Sequence, residues 1–111
     1  MQFLVIGKDG KDKNAPKRRM AARQAHLKLG DEMEQSGERW YGAVLLDDSG
    51  KMIGSMAVMD FPSEKELQVW LKHEPYITGN VWESVEIFKC NVKSPWKFNR
   101  PQSFFKKKTV G

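Results

Sequence analysis

Trp40-Tyr41-Gly42-Ala43-Val44-Leu45-Leu46, followed by Asp47-Asp48-Ser49-Gly50 and then by Met52-Ile53-Gly54-Ser55-Met56-Ala57-Val58-Met59, is the stretch that decides the fold. Two apolar runs flank a cluster of Asp, Ser and Gly, which is turn chemistry, so the stretch predicts a β-hairpin. An antiparallel sheet wetted on one face alternates apolar and polar residues. Val44-Leu45-Leu46 and Met56-Ala57-Val58-Met59 do not alternate, and both faces of these strands are apolar. Helices cover one side of a small sheet, so the other side needs a cover of its own. A second copy of the same sheet is the simplest one, which predicts a homodimer; long loops or the C-terminal tail are the alternative.

Working outward, Phe3-Leu4-Val5-Ile6 reads as a short strand ending at Gly7 and a polar loop from Lys8 to Asn14. From Ala15 to about Gln35 the pattern is helical, with Ala22, Ala25, Leu29 and Met33 as its apolar stripe and Pro16 in the first turn. Ser36-Gly37 ends this helix, and Gly30 weakens its last turns. After the hairpin, Ser63 and Glu66 have the spacing of a capping box, Leu67, Trp70 and Leu71 form a buried stripe, and Pro75 stops the second helix. Trp82 to Val92 reads as the last strand. The order β-α-β-β-α-β is the ferredoxin-like plan: an α+β fold on an antiparallel sheet.

At 111 residues one domain is expected, and an apolar content of 40% suffices for one core. The net charge of +5 is unevenly spread. Residues 1–28 carry eight Lys+Arg against two acids, residues 29–92 five against twelve, and residues 93–111 six with no acid. The body is therefore nearly neutral and the basic character lies in the tail, so residues 1–92 are expected as the domain and 93–111 as a basic, aromatic appendage. Trp96, Phe98, Arg100, Phe104, Phe105 and Lys106-Lys107-Lys108 would suit single-stranded nucleic acid. A short run of this composition more commonly serves as a solvated or docking segment, so nucleic acid is not the expected partner. No apolar run approaches the ~18 residues of a membrane span, and the N-terminal apolar run is too short for a signal peptide. Cys90 is the single cysteine, and a chain with no internal disulfide suits the reducing cytoplasm.

No phosphate loop, nucleophile elbow or zinc spacing is present, so neither a cofactor nor a metal is expected. Two clusters carry candidate chemistry. Arg19-x-x-x-Arg23-x-x-His26 lies along one stripe of the first helix, where a histidine could exchange a proton beside a guanidinium able to hold an anion; a basic surface face would show the same pattern. His73-Glu74-Pro75-Tyr76 offers a carboxylate to orient a histidine ring and a phenol to donate to a substrate oxygen; a helix stop with a packed tyrosine would also show that pattern.

These residues, in order with His26-Leu27, Gly54-Ser55, Trp70, Glu74-Pro75-Tyr76, Gly79 and Val85-Glu86-Ile87, resemble the YciI-like family, also described as YCII-related proteins, over residues 1 to about 92. The resemblance implies a ferredoxin-like fold in the dimeric α/β-barrel group and a small enzyme with a histidine–aspartate centred pocket. One branch of the family is associated with dehydrochlorination of a hydroxylated aromatic. Carried onto this chain, the histidine is His26 and the carboxylate is Glu74, with Arg19, Ser55 and Tyr76 contacting a small anionic or phenolic substrate. The chain departs from the pattern at two places: Glu74 stands where the family has aspartate, and Gly42 is followed by Ala43 instead of proline. A non-catalytic dimer that binds a small ligand or a partner protein is the alternative function.

Overall fold

The computed structural model describes residues 1–93. The elements are β1 (Gln2–Asp9), α1 (Ala15–Ser36), β2 (Arg39–Leu46), β3 (Met52–Asp60), α2 (Glu64–His73), α3 (Pro75–Thr78) and β4 (Trp82–Cys90). The four strands form one antiparallel sheet in the order β2-β3-β1-β4, the ferredoxin-like arrangement expected from the sequence. The basic, aromatic tail, with its candidate nucleic-acid residues, lies from residue 94 onward outside the described residues. Among the described residues no helix is long and apolar enough to cross a membrane.

The local chemistry of each element is visible in its bonds. Asp47 closes the β2–β3 hairpin: its Oδ1 accepts from the Ser49 and Lys51 N–H groups at 2.9 and 3.0 Å and from the Ser49 hydroxyl at 2.7 Å. These donors hold its carboxyl below the usual range, with the Ser49 hydroxyl the largest cause. Gly50 takes φ 87°, which a residue with a Cβ adopts only under strain. Ser63 caps α2 as expected, its hydroxyl accepting from the Glu66 N–H at 3.4 Å. Gly37, at φ 85°, ends α1 in the left-handed conformation.

The core lies between the helices and one face of the sheet. Phe3 and Val5 of β1, Met59 of β3, Leu67 of α2, Tyr76 of α3 and Val81 are completely or almost completely buried there. The other face carries Leu4 and Ile6 of β1, paired with Val58 and Met56 of β3 and with Phe88 and Glu86 of β4. Leu4, Ile6, Met56 and Val58 are only partly covered and Phe88 is exposed.

Two details differ from the sequence expectation. Ala25 is exposed, and the inner side of α1 runs through Ala15, Arg19, Ala22, His26, Gly30 and Met33. Two polar residues with buried partners stand where an apolar stripe would, so the apolar periodicity points off axis. Pro75 does stop α2, and it also opens α3, a single turn whose first position tolerates proline because no N–H is needed there.

Candidate active site

Strand alternation sends Asp9 inward, on the same side of β1 as Phe3 and Val5. There it meets Arg19 of α1, whose Nη1 donates to both carboxylate oxygens at 2.8 and 2.9 Å. Their side chains are 6% and 3% exposed, so this is a desolvated ion pair. The Arg19 Nη2 donates to Ser55 Oγ at 3.1 Å and to the Gly54 carbonyl at 3.3 Å. Arg19 is thus held by β1 and β3 together, and its charge is matched locally by Asp9.

The Arg19 guanidinium also lies 4.7 Å from the centre of the Tyr76 ring. The His26 ring stacks on Tyr76 at 3.8 Å between centroids and 11° between planes. Arg19 and His26 stand seven residues, about two turns or ~10 Å, apart on α1, so the phenol ring fills the space between their side chains. Burial raises the Tyr76 phenol above its usual 10.0, with the positive charges of Arg19 and Arg23 acting in the opposite sense. The hydroxyl therefore stays protonated and able to donate across the physiological range.

His26 Nδ1 contacts Glu74 Oε1, and Glu74 is deeply buried. The extra methylene of glutamate does not break the contact. A carboxylate accepts, so the neutral ring carries its proton on Nδ1 and keeps the Nε2 lone pair free. Glu74 itself is fixed by the backbone: its N–H closes the end of α2 on Trp70 and Leu71, and its Oε1 accepts from the Tyr76 N–H at 3.2 Å at the start of α3. His73, its sequence neighbour, is exposed and donates from Nδ1 to the Val69 carbonyl at 2.8 Å, away from the pair.

Ser55 is buried on the sheet, its oxygen accepting from Arg19 and from Trp82 Nε1 at 3.4 Å. With its lone pairs engaged, its O–H is left to donate. Trp82 packs flat over Gly7, where any Cβ would collide with the indole. Gly7 therefore lies inside β1 to make room for Trp82, not at the end of the strand.

These side chains surround a cavity of about 230 Å³ between α1, the sheet and α3. Arg19, His26, Ser55, Glu74, Tyr76 and Trp82 line it, with Arg23, Arg39, Gly42 and Trp70. All five residues expected from the sequence as site residues therefore meet at one place. An engineered cavity of about 150 Å³ holds benzene, so this volume suits a single substituted ring. The buried Trp70 Nε1 has no acceptor among the described residues.

A model of the YCII-related domain matches residues 1–96. The chain belongs to that family. Among solved structures, this YCII-related domain is similar to 5-chloro-2-hydroxyhydroquinone dehydrochlorinase (TftG) from Burkholderia phenoliruptrix AC1100, in complex with 2,5-dihydroxybenzoquinone. The TM-score is 0.72 at 19% identity, over 85% of this chain and 97% of that one, which establishes a shared fold. No curated protein matches the sequence.

Three participants in this YCII-related domain escaped the sequence reading. Asp9 had a signal, since it continues the inward Phe3, Val5, Gly7 alternation as an acid among apolar positions. Trp82 was seen as the start of a strand and not as a wall of the cavity. Arg39 had no local signal, because its surroundings come from α1 and β2 together.

Proposed function

We propose that the domain is a small enzyme that moves protons on a single-ring phenolic substrate, with His26 as the base. The observation that carries this is the buried Glu74 carboxylate against His26 Nδ1, on the wall of a ring-sized cavity. Glu74 fixes the tautomer and steadies the imidazolium once Nε2 has taken a proton. Tyr76 and Ser55 supply O–H donors to the substrate oxygen that gains charge. Arg19, matched by Asp9, acts by holding Tyr76 and Ser55 in place.

The fold shared with a dehydrochlorinase supports one version of this chemistry. On a halogenated polyhydroxy ring, His26 takes an O–H proton and returns it to the halogen-bearing carbon. It then takes a second O–H proton as the halide leaves with its bonding pair. The net loss is HX, the ring becomes a quinone, and no outside oxidant is consumed. We propose further that a second copy covers the open sheet face, giving a homodimer.

Chloride release from 5-chloro-2-hydroxyhydroquinone tests the reading. Wild-type protein should release chloride above the uncatalysed rate, and His26→Asn should lower that rate by about 10²–10⁴-fold. Ring binding without turnover in the wild type, or turnover indifferent to His26→Asn, would move the protein to the class of ligand-binding modules.

A further inference from the structure

The mouth of the cavity, between α1 and the edge strand β2, is built around one side chain. A Cβ at Gly30 would overlap Arg39 Nη1, and a Cβ at Gly42 would overlap its Nη2. Gly30 lies mid-helix, where glycine weakens the helix, and Gly42 lies within a strand, where it weakens the strand. Two unfavourable glycines on different elements thus make the room that one guanidinium fills.

The charge of Arg39 is poorly matched. Its contact with Glu34 is 3.6 Å long, beyond hydrogen-bonding distance, and Glu34 is half exposed. Arg23, also on the cavity wall, is exposed to solvent and lies on the other side of His26 along α1. By contrast Arg19 is matched by Asp9 at the inner end. The cavity is therefore polarised, with His26 and Glu74 on one side and the loosely paired Arg39 guanidinium on the other. Gly30 stands four residues beyond His26 on α1, so the backbone positions behind the two ends are about 6 Å apart along the helix.

We infer that Arg39, seated between Gly30 and Gly42, is the anion-recognising end of the site, and that the substrate is a single-ring hydroxyarene bearing a carboxylate across the ring from the hydroxyl that meets His26. This deepens the reading of His26 as the base and rests on it for which end of the ring reacts. A planar fork pairs with a carboxylate through two parallel N–H bonds, and the two glycines seat that fork at the cavity wall.

Calorimetric titration with 4-hydroxybenzoate and its neutral counterpart 4-hydroxybenzamide tests the inference. The wild type should bind the carboxylate at least tenfold more tightly. Arg39→Gln should abolish that preference while leaving 4-hydroxybenzamide affinity within about twofold. Gly42→Ala keeps the charge but displaces the fork, and should cut the preference with the fold intact by circular dichroism. Equal affinity for the two probes in the wild type, binding of neither, or a preference that survives Arg39→Gln overturns the inference. His26→Asn separates the two readings, because it should keep the carboxylate preference whether or not His26 performs chemistry.

Discussion

Breaking the Asp9–Arg19 pair should destabilise the domain far more than removing it whole. The pair is desolvated, with Nη1 within 2.9 Å of both carboxylate oxygens and neither side chain more than 6% exposed. Asp9→Leu leaves a guanidinium charge buried without its partner, and Arg19→Met leaves a carboxylate so. Each single change should cost about 3–5 kcal/mol. For a domain of this size that corresponds to at least ~12 °C in melting temperature. The double variant buries two apolar side chains and no charge, losing the Arg19 bonds to Ser55 and Gly54. It should lie within about 2 kcal/mol of wild type, which makes the coupling energy at least ~4 kcal/mol. Urea unfolding followed by tryptophan fluorescence, at one fixed protein concentration, measures all four corners of the cycle. Single changes costing under ~1 kcal/mol, or an additive double variant, would refute the idea that Arg19 and Asp9 form one buried unit.

Glu74→Ala removes the acceptor for the His26 ring and the Tyr76 N–H, and should cost about 2–4 kcal/mol by denaturant unfolding. Glu74→Gln keeps the shape and should cost ~1 kcal/mol, while its His26 ¹⁵N spectrum loses the single fixed tautomer. In the Tyr41→Phe background Tyr76 is the one remaining tyrosine, and its phenolate absorbance should rise with a midpoint above 10.0. Because the folded state favours the protonated phenol, its contribution to stability is complete below pH 10 and is lost as pH climbs through the raised value; a midpoint at or below 10 would contradict the burial seen here. The wild type should sediment near twice 12.8 kDa, and Val58→Lys, which charges the open sheet face without touching the core, should yield a folded monomer; a wild-type monomer would remove the case for a covered face.

The fold was legible because its signals are local. The Asp47 turn, the Ser63 cap and the two-sided strands each sit within a few consecutive residues, and each appears where expected. The inner side of α1 was misdrawn through Ala25 because Arg19 and His26 replace apolar residues there, and their partners Asp9 and Glu74 lie on other elements. His26 and Glu74 were found through the order of motifs along the chain. Nothing within one segment joins Gly30 to Gly42, since their relation exists only through the Arg39 side chain between them.

The position of Glu74 has a consequence for how such a site can change. Its main chain finishes one helix and its side chain begins the next, so the carboxylate has no hinge of its own. The His26–Glu74 end is thereby welded to the skeleton, and its geometry is inherited with the helix junction. The β2 side is different: Gly42 and Val44 lie on an exposed edge strand whose side chains support little of the interior. Variation there can reshape what enters while the machinery behind it stays still. A scaffold divided in this way can change what it admits by altering its doorway alone.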